Sequence, residues 1–75
     1  MNAHDHIPTA EIEQDIADTE AEIITMRREI EGFTLLGDRM SHFRAAGHRT
    51  GIREREEFIA KLKLILAERK QRQPA

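Results

Sequence analysis

The chain contains no cysteine, tryptophan or tyrosine, and only three of its 75 residues are aromatic. Without cysteine it has neither a disulfide framework nor a thiolate metal site, the two usual supports of very small folds. A chain this short also buries a small share of its surface when it folds alone. Self-association is the support that remains, and we expect another chain to cover part of this one.

Long apolar runs and catalytic motifs are missing as well. No apolar run approaches the roughly 20 residues that cross a bilayer, and the first residues lack the pattern of a secretory signal. No glycine-rich phosphate loop, EF-hand loop or HExxH zinc motif occurs. We therefore expect a cytoplasmic protein that is not an enzyme and needs no cofactor.

Charged residues make up 35% of the chain and are unevenly placed, although the net charge is only -2. Residues 1–31 carry nine acids against two arginines, a net -7, whereas residues 32–75 carry ten bases against five acids, a net +5. A high charge content with few aromatic residues is typical of long solvated helices. The fold class predicted from composition is all-α.

Apolar residues recur at alternating steps of four and three along the first half of the chain. The series is Ile12, Ile16, Thr19, Ile23, Met26, Ile30 and Phe33, followed by Gly37 and Met40. This spacing is the heptad seam of a coiled coil. After Phe33 the apolar face widens through Leu36 and Phe43, which is typical of multi-helix bundles.

The sequence predicts a single helical hairpin over residues 9–72, between an N-terminal arm at 1–8 and a tail at 73–75. Helix one is expected over about 9–46 with Thr9 as its N-cap, and residues 32–37 are its weakest stretch because Gly32 and Gly37 disfavour helix. A turn is predicted at 47–51, where Gly47 can adopt a left-handed conformation. Helix two follows over about 51–71.

A turn at 47–51 leaves residues 9–25 without a helix beside them, so we expect a homodimer to cover their isoleucines. Two hairpins can close a coiled coil or four-helix bundle, with the subunit orientation left open. The residues predicted at this oligomer interface are Ile12, Ile16, Ile23, Met26, Ile30, Phe33, Leu36, Met40, Phe43, Ile52, Phe58, Ile59, Leu62, Ile65 and Leu66.

Basic residues cluster around the predicted turn and form the candidate partner-binding patch. They are Arg39, His42, Arg44, His48, Arg49, Arg53 and Arg55. A positive patch suits a partner protein with an acidic or apolar docking surface. Two alternatives stay open: a regulator that binds nucleic-acid phosphates through this patch, and a structural assembly subunit.

Other candidate sites have simpler explanations. Asp38, Ser41 and His42 have the composition of a catalytic triad, but neighbouring residues on a helix point in different directions. His4, Asp5 and His6 offer too few fixed ligands for a specific metal site. A short charged hairpin without enzymatic motifs is similar to many small phage or mobile-element proteins that bind and inhibit a host protein. That resemblance implies an inhibitor or regulator acting in a host cytoplasm.

Overall fold

The computed structural model describes residues 6–72, which form two α-helices. Helix α1 spans Thr9–Leu36 and helix α2 spans Arg39–Arg72, and the two pack against each other. The side chain of Arg69 donates a hydrogen bond to the Thr9 hydroxyl at 3.1 Å, so the end of α2 lies beside the start of α1. The predicted all-α helical hairpin is therefore confirmed. Within the described residues, no helix has the length and apolar character needed to cross a membrane.

The predicted position of the turn is wrong. The chain reverses at Gly37 and Asp38, ten residues earlier than expected, and residues 47–51 lie inside α2. Helix one therefore ends at Leu36 and not near residue 46. The stretch 32–37, predicted as the weakest part of helix one, contains the actual break. At the observed turn Gly37 has a φ of 69°, a left-handed conformation that favours glycine.

The early turn matches the lengths of the two helices. At 1.5 Å per residue, α1 is about 42 Å long and α2 about 51 Å. Helix α2 therefore covers the whole of α1, and the predicted overhang of residues 9–25 does not exist. A turn at 47–51 would have left three isoleucines in water, at about 1.5 to 3 kcal/mol for each side chain.

The core is a line of isoleucines between the two helices. Ile12, Ile16 and Ile23 of α1 are buried against Ile52 and Ile59 of α2, and Ile12 is only 1% exposed. Half-buried apolar side chains border this line, namely Ile7, Met26, Ile30, Leu62, Ile65 and Leu66. The heptad seam predicted as a contact between chains is thus a contact within one chain.

Helix α2 contributes a matching seam that hydrophobicity alone does not reveal. Nine of its buried or half-buried residues follow the same alternating steps of four and three: Ser41, Ala45, His48, Ile52, Arg55, Ile59, Leu62, Leu66 and Arg69. Small residues occupy the seam near the turn, which brings α2 close to Phe33. The polar groups of His48, Arg55 and Arg69 form hydrogen bonds with carboxylates or a hydroxyl on α1.

Candidate functional site: the turn end of the hairpin

The sequence Gly37-Asp38 ends one helix and starts the next. The backbone N–H of Gly37 donates to the Phe33 carbonyl at 3.2 Å, which closes α1. Asp38 then acts as the N-cap of α2, because its carboxylate accepts the Ser41 backbone N–H at 2.6 Å. This hydrogen bond lowers the pKa of Asp38 below its ordinary value of 3.8. The carboxylate that resembled part of a triad is thus committed to capping a helix.

The structure divides the predicted basic patch into two groups. His48 and Arg55 face α1, where His48 Nε2 donates to Glu29 at 2.6 Å and Arg55 Nε donates to Glu22 at 2.8 Å. The imidazole of His48 also meets the Phe33 ring edge-on, with centroids 5.3 Å apart. These two basic residues connect the helices and are not free to engage a partner.

The second basic group lies on the outside of α2, near the turn. Arg39, His42 and Arg49 border a notch beside Phe33 and Ala45 at the turn. Helical spacing places Arg53 on the same side, one turn beyond Arg49, and Arg44 on another. The patch is consequently a stripe on a helix and not a flexible basic loop.

Large apolar side chains surround the turn and are open to solvent. Phe43 is 75% exposed and Met40 is 62% exposed, and Leu35 and Leu36 end α1 with even less cover than Met40. Met40 and Phe43 border an open depression that Arg39, His42 and Ala46 complete, and we call these five residues the turn-end surface. Leu36, Met40 and Phe43 were predicted at the oligomer interface, and the hairpin by itself leaves all three uncovered.

The other predicted interface residues fall mostly inside the hairpin. Buried or half-buried within one chain are Ile12, Ile16, Ile23, Met26, Ile30, Phe33, Ile52, Ile59, Leu62, Ile65 and Leu66. Phe58 of α2 differs from these residues because its side chain is 45% exposed. Sequence reasoning assigned all of these residues to an oligomer interface. It could not tell residues packed inside the hairpin from exposed ones, because that depends on where the chain turns.

The two flanks of the hairpin differ in chemistry. One groove between the helices is bordered by Glu20, Arg27, Glu56 and Lys63 around Ile24, and Arg27 donates to Glu56 at 3.1 Å. The opposite groove is bordered by Asp18, Ala21, Glu22, Thr25, Met26 and Arg55. The first groove thus combines four charged residues with Ile23, Ile24 and Ile59, and the second combines three charged residues with Thr25, Ala21 and Met26.

Among residues 6–72 no group of three His, Cys, Asp or Glu side chains lies close enough to hold a metal ion. His4 and Asp5, the rest of the weak metal motif, lie outside the described residues, and His6 is exposed. No family model matches the chain, and neither the curated proteins nor the solved structures provide a match.

Proposed function

We propose that this hairpin is a non-enzymatic protein-binding module that docks on a partner protein through its turn-end surface. One observation carries the proposal: Phe43 and Met40 are exposed although the hairpin buries isoleucines elsewhere. Covering two such side chains contributes about 1.5 to 3 kcal/mol each. Exposed aromatic and methionine residues are also the types enriched where proteins meet. Docking of this kind blocks or recruits a partner without chemistry on it.

The charge around the turn-end surface indicates the chemistry of the partner. Residues 37–53 contain four arginines and a single acid, Asp38, which gives a net +3 with neutral histidines. The Asp38 carboxylate is already hydrogen-bonded to Ser41. A partner segment that presents apolar side chains flanked by carboxylates therefore fits both the apolar centre and the basic rim.

Nucleic-acid binding is the alternative from another class. The outer stripe of Arg39, Arg49 and Arg53 could face phosphates, but α1 runs alongside with eight acids against two arginines. This net -6 repels a polyanion over most of the length of the hairpin. The apolar centre of the turn-end surface has no role in phosphate binding, so we favour a protein partner.

A selection experiment tests the proposal directly. We would select a displayed library of random peptides against the immobilised protein, and then measure binding of the enriched peptides by fluorescence anisotropy. The expected peptides combine apolar residues at helical spacing with Asp or Glu. Phe43→Ser should weaken their binding by about 10- to 100-fold, the equivalent of burying one large apolar side chain.

Leu64→Ser is the matched control, because Leu64 is a similarly exposed apolar residue far from the turn. Peptides that bind the Phe43→Ser protein as well as the native protein would show that the turn-end surface is not the site. Duplex DNA is the second probe. Tight DNA binding that weakens steeply with salt and is insensitive to Phe43→Ser would favour the nucleic-acid alternative.

A further inference from the structure

A second apolar surface lies along one flank of the hairpin. Arg55 reaches Glu22 on this flank, and Phe58 and Leu62 follow Arg55 at helical spacing while Met26 follows Glu22. Phe58 is 45% exposed, and Met26, Leu62 and Ile65 are only half-buried. We call these four residues, Met26, Phe58, Leu62 and Ile65, the Phe58 face. It differs from the turn-end surface in position, because it lies along the flank and not at the turn.

The hairpin has more surface than a compact protein of its size. The chain exposes 6064 Å², compared with about 4,700 Å² expected for a compact monomer of 8.7 kDa. Its radius of gyration is 16.7 Å, against about 11 Å for a compact chain of this length. The excess of about 1,300 Å² exceeds the ~800 Å² that each partner buries in a standard interface. The elongated shape of the chain therefore leaves a long flank on which a second copy can pack.

The two helices carry opposite net charges. Helix α1 has eight acids and two arginines, a net -6, and helix α2 has ten bases and four acids, a net +6. Within one hairpin each helix therefore has an oppositely charged neighbour along its whole length. We expect helices of opposite charge to be neighbours between two copies as well. In a homodimer with a two-fold axis the two copies contact each other through identical surfaces.

Among the aligned two-fold arrangements that join two Phe58 faces, only one keeps opposite charges adjacent. If the axis is parallel to the helices and the Phe58 faces meet, α1 of each chain lies against α2 of the other. If the axis is perpendicular to the helices, or the hairpins meet edge to edge, like-charged helices become neighbours and repel each other at low salt. We infer that two copies pair through their Phe58 faces into a four-helix bundle with both turns at the same end.

This arrangement has a functional consequence. Both turn-end surfaces lie at one end of the bundle, so a dimeric partner, or two sites on one partner, can be held by two hairpins at once. The pairing does not depend on what the turn-end surface binds. Loss of peptide binding and loss of dimerisation are therefore separate results.

Spin-label distances test the orientation on an otherwise native chain. Because the sequence lacks cysteine, a single Leu35→Cys variant labels one site near the turn, where the native side chain is 88% exposed. Helix axes in a bundle lie about 8–10 Å apart, so turns at one end place the two labels about 20 to 30 Å apart. Turns at opposite ends separate them by about 40 Å or more. An Ile24→Cys label, near the middle of α1 and on the opposite flank, gives a similar distance in either arrangement and serves as the reference.

Light scattering during size exclusion tests the face itself. We expect the native protein to be a dimer of 8.7 kDa chains and Phe58→Asp to raise the dimer dissociation constant by at least about tenfold, because it places a carboxylate among apolar groups. Leu64→Asp, at an exposed position off this face, should remain dimeric. A native monomer at every concentration, an unaffected Phe58→Asp dimer or a long Leu35 distance with a shorter Ile24 distance would overturn the inference. If Phe58→Asp does not fold, the label distances decide alone.

Discussion

Glycine-to-alanine substitutions can distinguish a turn at 37–38 from a turn at 47–51. Gly37 has a φ of 69°, and a left-handed conformation costs a residue with a Cβ about 1 to 2 kcal/mol. Gly47 lies inside α2, and a Cβ built there meets nothing within 4 Å. Alanine is favoured over glycine by about 1 kcal/mol inside a helix. We therefore expect Gly37→Ala to destabilise the protein and Gly47→Ala to stabilise it by about that amount.

The assay is thermal unfolding followed by circular dichroism at equal protein concentrations. A change of 1 kcal/mol shifts the melting temperature of a domain this small by about 4 to 8 °C, so the two variants should fall clearly on opposite sides of the native protein. Gly32→Ala is the internal control, since its Cβ also meets nothing and it should behave like Gly47→Ala. A destabilised Gly47→Ala with an unchanged Gly37→Ala would refute the reasoning and place the turn at 47–51.

Two further predictions concern the helix cap and the core. Asp38→Ala should lower the melting temperature at pH 7, because α2 loses its N-cap. The native pKa of Asp38 lies below 3.8, so the stability that the ionised carboxylate contributes is complete above that pH. This contribution disappears as the pH falls through the lowered pKa. Melts at pH 7 and pH 2 check this, and an equal difference at both would contradict it. Ile16→Ala should lower the free energy of unfolding, measured in urea, by about 2 to 5 kcal/mol. Ile24→Ala, at a position that is 52% exposed, should lower it by less than about 1 kcal/mol. Equal losses would mean that the seam is not the core.

The helix class and the α1 seam could be predicted from sequence because both depend on local spacing. Isoleucines at steps of four and three define one face of a helix whatever the rest of the chain does. The turn was harder, since both Gly37-Asp38 and the segment 47–51 contain turn-forming residues. The choice between them depends on tertiary packing, which favours the turn that gives α1 and α2 matching lengths.

The α2 seam could not be recognised from hydrophobicity. Near the turn it consists of Ser41, Ala45 and His48, which are small or polar. Their burial becomes evident only when α1 packs against them. A search for the 4-3 spacing that ignored polarity would have found it. Gly51 lies beside α1 in the same region, because a Cβ there would lie 2.7 Å from the methyl group at the flexible end of Met26.

The candidate site was predicted in composition but not in position. The basic residues were identified, yet two of them, His48 and Arg55, connect the helices, and the others lie on the outside of α2. Met40 and Phe43 were assigned to an interface without a distinction from the core. Their exposure follows from the turn at Gly37, because that turn places them on the outside of the first turns of α2.

The location of the turn supports every conclusion above, and two distances measure it directly. Spin labels at Glu13→Cys and Lys70→Cys, diluted with unlabelled protein, should be about 15 to 25 Å apart, because Thr9 contacts Arg69 at the ends of the helices. Labels at Glu31→Cys and Lys70→Cys should be more than about 30 Å apart, because α2 continues about 33 Å beyond the position beside Glu31. A short Glu31–Lys70 distance together with a longer Glu13–Lys70 distance would place the turn at 47–51 and contradict the account.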